Sequence, residues 1–223
     1  MLFHSGQGAG QFGNSPPIVQ YLNSYTQTTS TTISTGTPSA TRSIVVIITG
    51  YNASSTGGVS NLLINGNSCV RVSSSHVSSY VGFVAIGALA LPTGTTASLS
   101  FTASFTGLNI AVFSIKNIIP TNFGAATNSG TPTGTSFSHT LTTTPPIKKS
   151  LIFTGISSYA GGTTNATSSL PNTLIANYGG YVLGSAYTSF STAVNPYTIT
   201  WTAPSGADWS SLGHTVSSLA IGF

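Results

Sequence analysis

Acid is almost absent from this chain. Asp208 is its one carboxylate side chain, and with Arg42, Arg71, Lys116, Lys148 and Lys149 it makes up a charged fraction of only 3% over 223 residues. Soluble domains commonly give about a quarter of their residues to charge. Acid–base chemistry by paired carboxyl groups needs two of them, and a hard-cation site needs several oxygen ligands, usually including carboxylates. The deficit therefore predicts a chain that is not an enzyme and takes no cofactor and no metal. The net charge of +4 follows from the missing acid. The five basic residues form no patch beyond Lys148-Lys149, which argues against a nucleic-acid partner despite a pI near 9.4.

Other absences narrow the reading further. A single cysteine, Cys69, excludes an internal disulfide, and its neighbours Ser68 and Val70 offer nothing to activate a thiol. The longest apolar run, Val81 to Leu91, contains two glycines and is too short to span a bilayer, so no membrane insertion is expected. The opening Met-Leu-Phe-His-Ser-Gly-Gln-Gly has neither a basic region nor an apolar core. It predicts no secretory signal and synthesis in a cytoplasm.

What remains is rich in hydroxyls and turn formers. Serine and threonine supply 71 residues, glycine 25 and proline 11, while Val, Ile, Leu, Phe and Tyr recur in bursts of five to nine. No segment sustains a 3.6-residue period, so the pattern predicts an all-β chain of short strands separated by turns. A hydrophobic fraction of 39% is sufficient for a core.

The strand plan is written twice, at an offset near 106. Thr31 to Ser43 leads into Ile44–Ile48 and Thr49-Gly50; Ser138 to Ser150 leads into Leu151-Ile152-Phe153 and Thr154-Gly155. Ala97 to Ala103 matches Tyr197 to Ala203 with period-2 alternation, pairing Phe101 with Trp201, and both copies end on an apolar strand, Leu108 to Lys116 and Val216 to Phe223. The expected architecture is a jelly-roll or β-sandwich of about eight antiparallel strands over residues 26–223. It is built from related halves, 26–116 and 135–223, joined by 117–134. One core shared by both halves is preferred, with two small separate sandwiches as the rival. Residues 1–25 carry four glycines and Pro16-Pro17. They are expected to form an extended N-terminal arm whose contacts, through Phe3, Phe12, Pro16 and Pro17, attach the domain to an assembly.

Sites that chemistry would need do not assemble. Gly8-Ala9-Gly10-Gln11-Phe12-Gly13 satisfies a dinucleotide fingerprint by letter only, since Pro16-Pro17 forbid the helix and no acid follows for a ribose. Asp208, His214 and a serine supply the types of a hydrolytic triad without a nucleophile elbow, and Asp208 reads as a turn residue. His4, His76, His139 and His214 lie at no ligand spacing. Tyr51, Tyr159 and Trp209 fall in polar, glycine-rich segments, as recognition loops for a protein or a surface glycan would.

The Thr-rich strand, the Pro-containing turn, the apolar strand ending at Gly, the Leu91-Pro92-Thr93-Gly94 turn before an alternating strand and the terminal apolar strand, repeated, resemble structural proteins of tailed bacteriophages. The likeness covers residues 26–223 and carries no catalytic or ligand residue. It implies a non-enzymatic virion component with a jelly-roll fold, a capsid decoration or a tail- or fibre-associated protein. Its partners would be other virion proteins and further copies of itself. The alternative is an adhesin module that binds a host receptor or carbohydrate.

Overall fold

The computed structural model describes residues 17–52, 58–73, 81–117, 122–130, 136–141, 150–159, 167–178, 181–190, 197–202 and 214–222. Among these residues there are strands and no helix. In the first part of the chain they are β1 (Ile18–Thr26), β2 (Ser30–Ser34), β3 (Ser43–Asn52), β4 (Ser60–Ile64), β5 (Asn67–Ser68), β6 (Val70–Ser73), β7 (Val81–Ala90), β8 (Thr96–Thr102) and β9 (Gly107–Lys116). In the second they are β10 (Asn122–Gly130), β11 (Ser136–Leu141), β12 (Ser150–Tyr159), β13 (Thr167–Ser168), β14 (Asn172–Tyr178), β15 (Tyr181–Phe190), β16 (Tyr197–Thr202) and β17 (His214–Gly222). All pairings are antiparallel. They build sheet I in the order β1-β9-β3-β7-β6, sheet II as β2-β8-β4-β5, sheet III as β10-β17-β12-β15-β14 and sheet IV as β11-β16-β13.

Two kinds of strand sequence produce two kinds of layer. Strand β3, Ser-Ile-Val-Val-Ile-Ile-Thr-Gly-Tyr-Asn, is buried at every position because both faces of sheet I are covered. A strand with two dry faces reads as a continuous apolar run. Ile44, Val46 and Ile48 pack with Phe83, Leu108, Ile110 and Val112 against Ile33, Leu62, Ile64, Ala97, Leu99 and Phe101 of sheet II. The alternate residues Val45 and Ile47 join Val84, Ile86, Phe113 and Ile115 and meet Leu151, Phe153, Leu219 and Ile221 of sheet III. Strand β8 has only one dry face, so Ala97, Leu99 and Phe101 are buried and their neighbours are polar. In the second part, Ile199 and Trp201 of sheet IV are fully buried, as are Ile156 and Val216 on the side of sheet III turned from sheet I. Trp201, at the position matched by Phe101, leaves its indole N–H without a hydrogen-bond partner.

The antiparallel all-β sandwich agrees with the sequence pattern, but its extent differs in three respects. About eight strands were expected and the described residues hold seventeen, β1 and β10 among them in the segments read as arm and linker. Residues 18–25, assigned to a mobile arm, belong to β1, paired with β9 from Ile18↔Lys116 to Thr26↔Asn109. The expected linker contains β10, paired with β17 along its whole length. Asn-Phe-Gly-Ala-Ala-Thr-Asn-Ser-Gly has no apolar alternation to reveal it; its neighbour supplies the order.

Candidate assembly surface

The outward faces of the two outer sheets share one chemistry. On sheet II the cross-strand pairs Ser30↔Ser100, Thr32↔Ser98 and Ser34↔Thr96 form a ladder of exposed and half-exposed hydroxyls. Ser136↔Thr202, Ser138↔Thr200 and Thr140↔Thr198 repeat it on sheet IV. There Ser138 Oγ and Thr200 Oγ1 lie 2.7 Å apart, and the hydroxyls of Thr140 and Thr198 3.4 Å apart. A hydroxyl is both donor and acceptor, so these faces are satisfied by water when free and by a polar partner when covered. An ionised face would lose far more hydration on docking.

One of the few charges is not on the surface at all. Arg42 is 1% exposed and its guanidinium donates only to backbone carbonyls. Nε reaches Leu91 O at 2.6 Å; one terminal nitrogen takes the consecutive carbonyls of Thr35 and Gly36 at 3.1 and 2.9 Å, and the other takes those of Thr93 and Gly94 at 2.6 and 2.8 Å. Gly36 and Gly94 have φ of +67° and +76°, left-handed conformations open to glycine, and both turn a carbonyl toward this one cation. The planar fork matches two pairs of carbonyls as lysine would not. Burial lowers the Arg42 pKa from its ordinary value. The Leu91-Pro92-Thr93-Gly94 turn is thereby locked to the Thr35–Ser39 segment, with Thr35 N to Thr95 O at 2.9 Å and Ser39 N to Pro92 O at 3.1 Å adding backbone ties.

A half-open cleft of about 350 Å³ is lined by Asn61, Leu62, Leu63, Ser68 and Cys69. Burial raises the Cys69 thiol to about 11, outweighing the opposing backbone hydrogen bond at Ile64. That makes Cys69 a packing residue at neutral pH. Its thiol–disulfide exchange at pH 8 is expected to be about a hundredfold slower than that of an unperturbed cysteine, the ratio of thiolate fractions for two pK units. A rate equal to that of a free thiol, measured with a chromogenic disulfide reagent on the folded protein, would contradict it.

The residues singled out for recognition do not converge. Tyr51 is not in a loop: it lies in β3, nine-tenths buried, opposite Gly107 of β9 with its ring where that glycine's side chain would be. Phe83 covers Gly50 in the same way on the neighbouring pair. An aromatic ring lying over a cross-strand glycine fills the gap that the missing side chain leaves. Tyr159 is the last residue of β12 and pairs with Tyr181, again strand and not loop. Pro17 is half-buried ahead of β1. Phe3, Phe12, Pro16 and Trp209, with Asp208, His4 and His76, lie outside the described residues. His139 and His214 stand on different sheets, in β11 and β17. Among the described residues no group of three or more His, Cys, Asp or Glu could hold a metal. No described helix is long and apolar enough to cross a membrane.

Comparison with known proteins adds no relative. No family model matches the chain, and no curated protein or solved structure is significantly similar to it.

Proposed function

We propose that the chain is a non-enzymatic structural subunit of a bacteriophage virion, acting by packing among neighbours on a capsid or tail. The observation that supports this most is the pair of neutral hydroxyl faces on sheets II and IV, at both ends of the molecule's layers. With Arg42 withdrawn into the interior, even the small charge complement is not all available to solvent. Such faces dock with little desolvation cost, and weak contacts summed over many copies give a durable assembly.

The strand orders favour a jelly roll in each half over one spread across both. With β5 and β6 taken as one bent strand, sheets I and II read 1-8-3-6-5 and 2-7-4-5 in the order of the first half's own strands. Sheets III and IV read 1-8-3-6-5 and 2-7-4. The second half thus repeats the first, and the two meet back to back through sheets I and III. The first half has a core between sheets I and II, and a second core joins sheets I and III.

Deleting residues 1–16, and leaving β1 intact, tests how the subunit attaches. The truncated protein is expected to keep its melting temperature and to be lost from particles separated by sedimentation. Full occupancy by the truncated protein would remove the arm from the mechanism. Absence of the intact chain from every particle fraction, with binding on a glycan array abolished by Trp209→Ala or Tyr159→Ala, would replace the virion reading with the adhesin.

A further inference from the structure

Strand β1 ends sheet I, and among the described residues its outer edge has no partner strand. Such an edge offers a row of N–H and C=O groups to any extended chain, and proteins that must stay apart blunt it with lysine, proline, or a charge turned inward. Ile-Val-Gln-Tyr-Leu-Asn-Ser-Tyr-Thr has none of these. The two large hydrophobic side chains exposed among the described residues are Ile18, at 53%, and Tyr21, at 39%, and both stand on this strand. The bulge between Tyr21 and Asn23 shortens the regular edge without protecting the part that carries them.

We propose that β1 is an assembly edge that pairs antiparallel with β1 of a second copy of this chain, joining two copies of sheet I into one continuous sheet. The proposal rests on the assembly reading above and names an interface for it. A second copy is the occupant because the edge is neutral throughout, with the apolar Ile18 and Tyr21 exposed among uncharged polar side chains, so it carries no charge to repel itself and none to select a charged partner. Two-fold pairing also satisfies the requirement that a self-complementary patch meet its own image. An antiparallel pair about an axis at Gln20 sets Gln20 opposite its copy and Val19 opposite the copy's Tyr21, on one face. Tyr21 is already braced for this role, its ring 5.7 Å from that of Phe113, which in turn meets Phe153 at 5.5 Å and Tyr187 at 5.2 Å. Residues 1–16 enter the strand at this same end. Pairing over so few residues is weak by itself, with dissociation expected at roughly 0.1–1 mM, and is strengthened where many copies are held together.

Sedimentation of the full-length protein up to about 1 mM tests the edge. Gln20 is exposed, so Gln20→Lys places like charges at the axis without touching the core. The wild type is expected to form dimers, and Gln20→Lys to weaken them at least tenfold with an unchanged melting temperature. Gln20→Cys in a Cys69→Ser background is expected to give a disulfide-linked dimer on mild oxidation. A wild type that stays monomeric at the highest concentration, or a Gln20→Lys variant that dimerises equally well, overturns the proposal. So does a particle structure with β1 paired to a different protein. If the intact chain is nevertheless found in particles, only the edge is wrong; if β1 dimers form and the chain enters no particle, the edge stands and the virion reading falls.

Discussion

Arg42→Met is expected to lower the stability of the folded chain by about 3–5 kcal/mol, the scale of removing one partner from a buried charged network. The substitution keeps the apolar stem and removes five donors at once. The carbonyls of Leu91, Thr35, Gly36, Thr93 and Gly94 then lose the group that joins them. Arg42→Lys recovers little of this, because an ammonium has three donors on one point and the five carbonyls are distributed around the edge of a planar fork. Denaturant titration provides the measurement: the midpoint falls in both variants with the slope preserved. A loss under about 0.5 kcal/mol in Arg42→Met, the range of ordinary surface changes, would mean that the two turns hold their shape without the cation. Hydrogen exchange should show opening concentrated at the amides of Thr35, Ser39 and Leu91, which donate to Thr95 O, Pro92 O and Arg42 O at the same junction.

Arg42 also shows where sequence reasoning stops. Scattered among neutral residues, it reads as one of five dispersed surface charges. Its isolation between Thr41 and Ser43, just ahead of the apolar run of β3 and close to Gly36 and Pro38, was the available signal. The layers were more legible. The continuous run Ile44–Ile48 and the alternating Leu99-Ser100-Phe101 already distinguish a strand covered on both faces from one covered on a single face. The matching of Phe101 with Trp201 placed both in cores, and both are buried. Strands whose order is imposed by a neighbour left no such trace, and so β1 and β10 were read as arm and linker. Tyr51 was misread because its polar surroundings along the chain say nothing of Gly107, which lies beside it only across the sheet.

The junction of the two halves carries the second large effect. Gly155 of β12 faces sheet I, and a Cβ placed there would lie 2.7 Å from Val84 Cγ1, 2.9 Å from Ile47 Cγ2 and 3.1 Å from Thr49 Cγ2. These neighbours are all β-branched, with side chains stiff at χ1, so they have little freedom to retreat. The junction is also polar at this end: Ser157 Oγ donates to Gly50 O across the sheets at 2.8 Å, while the buried hydroxyls of Thr49, Ser185 and Ser217 have no partner. Close approach of the backbones is therefore what this end of the junction depends on, and the apolar contacts of Phe113 and Phe153 hold the other end. Gly155→Val is expected to cost about 3 kcal/mol, at the upper end of overpacking effects. Gly58→Ala, with open space at the added Cβ, is expected to stay within about 0.5 kcal/mol. Trp201 and Trp209, the two tryptophans, both belong to the second half. Their fluorescence follows that half alone, whereas far-ultraviolet circular dichroism follows both. In the wild type the two signals should unfold together, since sheets I and III share a core; in Gly155→Val they should separate, with the half that loses less by parting surviving to higher denaturant. Coincident transitions in the variant would show that the halves remain one cooperative unit even with the wedge between them. Separate transitions already in the wild type would show that each half folds on its own core, and that the shared face is a docking surface formed after folding.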